Sequence, residues 1–290
     1  MRRARRGRAR AAGWVGLGLA ACLALARPLA AADAAGAAVS AGSAGARTGA
    51  PEALWREARA AERAAFVESE DDPATARDDY HRAIRAFEQL ARQGDGGGEP
   101  WWRSARCHWF LGELAEDEDA KLAHYEDAED RAARGLAVDP DCAGCMLWKF
   151  TALGRIVTKR GLLSGLRAAP EMATLLARGI ALHPTDRDTP NNSLLGNLHY
   201  GSALFYRVLP DWRWLGWLIG VRGDKERALE HARQAVALHP ARIDFQVELG
   251  SQLLCLGTTR EQPARLDEGL RVLARTVALE THSRRLAGRR

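Results

Sequence analysis

The fold is decided by residues 189–240, which read TPNNSLLGNLHYGSALFYRVLPDWRWLGWLIGVRGDKERALEHARQAVALHP. The first half contains Leu195-Gly196, and the second half carries small residues and a closing proline: Ala228, Ala232, Ala235 and Pro240. Small residues at this spacing let two helices pack closely, as in a tetratricopeptide (TPR) helix pair. Between the halves lies LPDWRWLGWLIG (residues 209–220), an aromatic insertion where a helical hairpin needs only a short turn.

The same two signatures recur along the chain. Leu-Gly stands at Leu111-Gly112, Leu153-Gly154, Leu195-Gly196 and Leu249-Gly250, and closing prolines stand at Pro140, Pro184 and Pro240. The pattern is poorest before Pro184, where Met172 and Leu176 occupy the small positions. The recurrence predicts an all-α, TPR-like solenoid of about five antiparallel helix pairs over residues 51–280, with a Trp-rich insertion and no sheet.

The termini predict an exported protein. Residues 1–32 have the form of a signal peptide, with an Arg-rich start, an apolar run and small residues at Ala30-Ala31-Ala32. Cleavage near Ala32 is one interpretation; the other is a lipobox, Leu19-Ala20-Ala21-Cys22, with a lipid anchor on Cys22 as the protein's only membrane contact. Both predict a periplasmic location. Residues 33–50 are predicted to form a flexible Ala/Gly/Ser tether, and residues 281–290 a basic tail.

The charge balance argues against a nucleic-acid partner. The chain has a net charge of +5, but seven arginines and no acids lie in residues 1–32, so the remainder carries −2. Nucleic-acid binding needs a basic face on the mature protein.

The sequence contains no motif for catalysis, a cofactor or a phosphate-binding loop, so we expect a protein that is not an enzyme. The eight histidines form no metal pattern, and no metal site is predicted; His183 and His239 mark equivalent repeat positions. Cys142 and Cys145 form a C-x-x-C outside any βαβ context, which predicts a local disulfide or two buried thiols rather than a redox site.

Ligand binding is expected on the concave face that the first helices of a TPR array form. Counted from each Leu-Gly, the candidate ligand-binding residues are Trp109, Trp148, Arg155, Asn197 and Tyr200. Aromatic and cationic side chains together suit an apolar ligand with an acidic group, or a peptide. The alternative is that Trp109 and Trp148 fill the core between repeats.

The insertion adds Trp212, Trp214 and Trp217 to the candidate site. Three interpretations stay open: a cap over the protein's own core, a lid facing a ligand or partner, and an interfacial membrane contact. As a lid, the segment is predicted to fold over the first helices near Tyr200 and Trp148 and close an apolar cavity. The helix before it should end ahead of Pro210, and the next should begin near Asp224, which can cap it.

The chain resembles the T component of tripartite ATP-independent periplasmic (TRAP) transporters, most specifically in LGNLHYG (residues 195–201), the insertion, and GDKERAL (residues 223–229) leading to Pro240. The regulators of microtubule dynamics are similar across the same repeat. The TRAP resemblance implies a periplasmic protein with an apolar channel, working beside a periplasmic solute-binding protein, and it carries no catalytic residues. The leading hypothesis is therefore a binding or adaptor protein for an apolar or acidic solute; the alternative is a protein-interaction scaffold in envelope assembly.

Overall fold

The computed structural model describes residues 50–69, 72–189 and 192–287. The predicted signal peptide, the lipobox and nearly all of the predicted tether lie outside these residues. The helices are α1 (Ala50–Glu68), α2 (Pro73–Arg92), α3 (Glu99–Leu114), α4 (Glu118–Val138), α5 (Ala143–Arg160), α6 (Leu162–Ala181), α7 (Leu194–Val208), α8 (Arg213–Ile219), α9 (Lys225–Leu238), α10 (Ile243–Thr259) and α11 (Pro263–Ala287).

The predicted fold class is confirmed: the described chain is an all-α, TPR-like array of five antiparallel helix pairs. The pairs are α1 with α2, α3 with α4, α5 with α6, α7 with α9, and α10 with α11, and the short helix α8 interrupts the fourth. Each pair packs on the next, so the buried side chains form successive clusters along the array. None of the described helices is long and apolar enough to cross a membrane.

The helix boundaries follow from local chemistry. Helix α7 ends at Val208, ahead of Pro210, because a residue before proline is disfavoured in helical conformation. Asp224 caps α9 by accepting the backbone N–H groups of Glu226 and Arg227, as the sequence predicts. Asp72 caps α2 in the same way. These side chains satisfy backbone donors that the first helical turn leaves unpaired.

Two details differ from the sequence prediction. Residues Arg187–Thr189 and Asn192–Ser193 form a small antiparallel two-stranded ladder, β1 and β2, directly before α7. The α6–α7 connection is longer than a simple turn and rich in proline, which favours extended backbone over helix. Helix α11 continues to Ala287, into the predicted tail, because no proline or glycine stops it at residue 280.

Candidate functional site

Trp109 and Trp148, two of the predicted ligand-binding residues, lie in the packed interior between the second and third helix pairs. Their ring centres are 5.9 Å apart, and the two residues are only 9% and 6% exposed. The Arg155 guanidinium lies 5.3 Å from the centre of the Trp109 ring. The structure therefore brings these three residues together, but inside the core rather than on an open face.

The charged groups and the Tyr125 hydroxyl of this interior cluster are engaged with one another, while Nε1 of Trp109 is buried without a hydrogen-bond partner. Arg155 Nη2 lies 2.8 Å from Glu113 Oε2, and the Tyr125 hydroxyl donates to Glu113 Oε1 at 2.6 Å. Burial raises the pKa of Tyr125, and the hydrogen bond to Glu113 adds to the effect. A cation and a carboxylate that neutralise each other leave little charge for a ligand, so the cluster has the character of a core.

Tyr200 and Asn197 lie on α7, in the fourth helix pair, and do not belong to the cluster that contains Trp109 and Trp148. The Tyr200 ring stacks on Phe245 of α10 with 4.9 Å between ring centres, and burial raises the pKa of Tyr200. Asn197 is half-buried. Tyr200 thus joins the fourth helix pair to the fifth.

The aromatic insertion is anchored to the array by its buried residues and by its base, where residues 209 and 210 meet residues 223–225. Leu215 is buried, and Ile219 and Val221 pack against the core that α5, α6 and α7 share. Gly220 ends α8 in the left-handed conformation, at φ 76°. At the base, the Gly223 N–H donates to the Pro210 carbonyl at 2.8 Å.

The two ends of the insertion touch so closely that only glycine fits at residue 223. A Cβ there would lie 1.9 Å from the Leu209 carbonyl oxygen. The Asp224 N–H donates to the Tyr206 carbonyl at 3.1 Å, and the Lys225 ammonium donates to the carbonyls of Arg207 and Leu209. The insertion is therefore a closed loop on a fixed base.

The tryptophans of the insertion point away from the array, which corrects the predicted lid over Tyr200 and Trp148. Trp212, Trp214 and Trp217 are 47%, 55% and 88% exposed, and Leu218 is 63% exposed. Trp212 and Trp214 stack on each other with ring centres 5.4 Å apart. A helix of two turns can bury only one side, and α8 buries the side that carries Leu215.

Further apolar residues are exposed at the same end of the array as the insertion. Helix α8 packs against α6, whose first residues Leu162 and Leu163 are also exposed. Helices α6 and α7 run antiparallel, since Gly179 faces Leu198 while Gly201 faces Leu176, so the start of α6 lies at the same end of the array as the insertion. We call these exposed apolar residues the aromatic surface: Trp212, Trp214, Trp217, Leu218, Leu162 and Leu163.

Arginines accompany the aromatic surface. Arg213 and Arg222 belong to the insertion, and Arg167 is exposed on α6. Arg160, at the end of α5, pairs with Glu126 at 2.5 Å, and Arg222 donates to the Asp211 carbonyl at 3.3 Å. Arg160 and Arg167 also line an open groove with Ile156, Val157 and Leu163. Arg213, Arg222 and Arg167 thus place positive charge near the apolar residues, while Arg160 is neutralised by Glu126.

Two concavities on the described residues are open to solvent. One is the groove at the α5–α6 turn, and the other runs along α9 beside Asp224, Arg227 and Arg233. Neither is the enclosed apolar channel that binding of an apolar solute would require.

The cysteine pair has a structural place. Cys142 and Cys145 form a disulfide at the start of α5, and the Cys142 sulfur accepts the Cys145 N–H at 3.0 Å. A Cβ on Gly135 would lie 2.5 Å from the Cys145 sulfur, so the disulfide is packed tightly against α4. Of the two alternatives that the sequence leaves open, the structure contains the disulfide.

Histidines form contacts that the sequence did not predict. His199 on α7 and His231 on α9 share a 2.9 Å contact between their Nδ1 atoms, within one helix pair. His239 Nε2 accepts a hydrogen bond from the backbone N–H of Ser193 at 2.9 Å. Since Ser193 is the N-cap residue of α7, this contact fixes the start of the helix. The long sequence separations of the partners give no local pattern from which these contacts could be found.

Comparison with known proteins gives one family match. The model of the family described as "Regulator of microtubule dynamics protein 1-3" matches residues 72–206, which run from α2 into α7 and make up slightly less than half of the chain. The match includes residues 195–201 of the repeat noted from the sequence, and it ends before the insertion and residues 223–229. No curated protein matches the chain.

Solved structures of MamA are similar at low identity. Two of them are "MamA 41-end from Desulfovibrio magneticus RS-1" and "MamA RS-1 ArsTM double mutant". Each is 15% identical with a TM-score of 0.42, over 78% of this chain and 96% of the other.

Proposed function

We propose that the protein is a non-enzymatic adaptor that binds a partner protein through the aromatic surface. The observation that carries this proposal is the exposure of Trp212, Trp214 and Trp217 on a short helix whose opposite side is anchored by Leu215. Water contact at three indoles is unfavourable, and contiguous exposed apolar surface of this kind marks interaction sites.

The composition of the surface suits protein recognition. Tryptophan and arginine are the residue types that most often dominate binding energy at protein interfaces. The insertion is fixed by its base, so binding would not require ordering of a loop, which lowers the entropic cost of association. The arginines near the apolar residues favour a partner with an apolar anchor residue surrounded by acidic side chains.

The predicted leader supports a periplasmic setting for this interaction. The resemblance to T components of TRAP transporters supports a periplasmic solute-binding protein as the class of partner. The transport of an apolar solute through the array is the finer part of that resemblance, and its support is the sequence alone.

The test begins with the partner. A photoreactive amino acid at Leu218 should cross-link the partner in periplasmic extract of the source organism, and mass spectrometry identifies it. With purified partner, Trp214→Ser/Trp217→Ser should weaken binding by at least about 30-fold, since interface hot spots each contribute about 2 kcal/mol or more.

A control double variant replaces two exposed apolar side chains elsewhere. Leu270 and Val277 are exposed on α11, and Leu270→Ser/Val277→Ser should leave the affinity unchanged. Equal affinity of both double variants would overturn the proposal. Co-sedimentation of the wild type, but not of the tryptophan variant, with vesicles of anionic phospholipid would replace the protein partner with a membrane.

Native mass spectrometry separates the adaptor from a solute carrier. For an adaptor, gently purified protein should have the mass of the polypeptide alone, apart from any metal ion or lipid anchor. A co-purifying small molecule, lost on replacement of Trp148 but kept in the Trp214/Trp217 variant, would favour solute binding in the interior instead.

A further inference from the structure

Three potential metal ligands meet between α3 and α4, far in sequence from the aromatic surface. They are His108 of α3 and His124 and Asp127 of α4, and one ligand atom from each lies within 4.8 Å of the other two. His124 and Asp127 are three residues apart on one helix, a spacing that places both side chains on the same face. Two imidazoles and one carboxylate are a donor set that zinc uses in proteins.

The strongest single observation is that the buried His108 ring has no hydrogen-bond partner. The residue is only 7% exposed, and both of its ring nitrogens are buried without a hydrogen-bond partner. Nδ1 of His124 is also buried and unpartnered. Buried polar atoms almost always have a partner, so three orphaned imidazole nitrogens in one place indicate a missing one. A neutral imidazole has a single lone pair, so one cation would accept one nitrogen from each ring, while the second nitrogen of His108 remains an N–H donor.

The charge state of the histidines suits a metal. Burial lowers the pKa of His108 to about 4, against the opposing effect of the Asp127 carboxylate. Burial also lowers the pKa of His124. The neutral imidazole is the form that binds a metal.

Asp127 is oriented for the same role. Its Oδ1 accepts from Arg131 Nη1 at 3.0 Å, while its Oδ2 lies 3.8 Å from His108 Nδ1. A carboxylate with one oxygen held by a hydrogen bond and the other turned to a ligand cluster is the usual outer-shell arrangement of metal sites. Arg131 also pairs with Glu88 at 2.9 Å, and that carboxylate partly offsets the guanidinium charge near a bound cation.

We propose that His108, His124 and Asp127 bind one zinc ion, which links α3 to α4 within the second helix pair. Zinc–nitrogen bonds of about 2.0–2.1 Å require the ligand atoms to lie closer than they do here, a change that side-chain rotation can supply. The fourth position is open to a water molecule. This site is independent of the proposed partner surface.

Zinc titration of the metal-free full-length protein tests the proposal. Isothermal calorimetry should show one equivalent of zinc bound at the site and no comparable binding of Mg²⁺, which prefers oxygen ligands. His124→Gln and Asp127→Asn should each weaken zinc binding by at least about 10–100-fold, the range for loss of even outer-shell partners. Circular dichroism confirms that the variants are folded; both positions are only half-buried.

Asp130→Asn is the matched control. Asp130 pairs with the same Arg131 at 2.9 Å but lies outside the ligand cluster, so its variant should bind zinc like the wild type. Cobalt(II) in place of zinc should give the absorption of a nitrogen and oxygen site without thiolate bands, which distinguishes it from binding at the exposed Cys255. The proposal is overturned if the wild type takes up no zinc, or if Asp127→Asn and Asp130→Asn bind it equally.

Discussion

The two sets of tryptophans in this protein have opposite environments. Trp109 and Trp148 lie inside the array, where they contact each other and exclude water. Trp212, Trp214 and Trp217 lie on its surface, with only their neighbour Leu215 buried. The candidate ligand site predicted from the sequence contained all five, with a core position for Trp109 and Trp148 as the alternative, and the structure separates them into a buried and an exposed set.

The difference shows what repeat periodicity can predict. Trp109 and Trp148 belong to first helices whose register is defined by Leu-Gly, and that register allowed both a position on the concave face and burial between repeats; the structure contains the second. The insertion has no counterpart in the other repeats, and its seven-residue helix gives no periodicity that could show which side is buried. Aromatic character alone does not distinguish core from surface.

The largest expected effect compares one tryptophan from each set. Trp148→Ala removes a buried ring and should lower the free energy of unfolding by about 3–5 kcal/mol. Trp217→Ala changes an exposed ring and should stay within about 0.5 kcal/mol of the wild type. Denaturant unfolding followed by circular dichroism measures both, and similar losses in the two variants would contradict the assignment of core and surface.

A smaller effect distinguishes two glycines of the Leu-Gly signature. A Cβ on Gly112 would lie 2.5 Å from a Tyr125 ring atom, whereas a Cβ on Gly154 would meet only the Met172 methyl group at 3.9 Å. Gly112→Ala should therefore destabilise by about 1–3 kcal/mol through overpacking. Gly154→Ala should stabilise by up to about 1 kcal/mol through helix propensity. Calorimetric melting decides, and a loss of stability in Gly154→Ala would show that its helix pair is tighter than the structure has it.

The smallest effect concerns pH and the helices that flank the insertion. Burial lowers the pKa of His231 from 6.5 to about 4, and the nearby His199 and Arg227 add to this effect. The pKa of the adjoining His199 is lowered by burial and by His183, and Glu230 opposes this. Between these pH values the unfolded chain binds a proton that the folded chain does not, so stability should fall as the pH falls from about 6.5 towards 4. His231→Gln should reduce this loss, measured as melting temperature against pH. The exposed His183, as His183→Asn, is the control, and an unchanged pH profile in His231→Gln would exclude His231 as the cause.

The sequence predicted the parts of the fold that depend on neighbouring residues. The end of α7 before Pro210 and the cap at Asp224 follow from the chemistry of single positions. The helix before Pro184 carries Met172 where other repeats have a small residue. This weaker signature agrees with the looser packing there, because a Cβ on Gly154 would meet only the Met172 methyl group.

The candidate sites were less predictable, since they depend on how helices meet. His108 and His124 belong to different helices, and only the spacing of His124 and Asp127 is visible in the sequence. That spacing is common on solvated helix faces, so it could not identify a ligand cluster. The outward orientation of α8 was similarly hidden, because it is set by the fit of Leu215 into a core built by other repeats.

Because the insertion is closed at its base, its exposed surface can change independently of the array. Gly223 packs directly against Leu209 and Pro210. The residues between Asp211 and Arg222 therefore begin and end at nearly the same point of the array. A segment anchored in this way can change its side chains, and even its length, at little cost in loop-closure entropy. One repeat scaffold could thus present different surfaces, much as an antibody framework carries exchangeable loops.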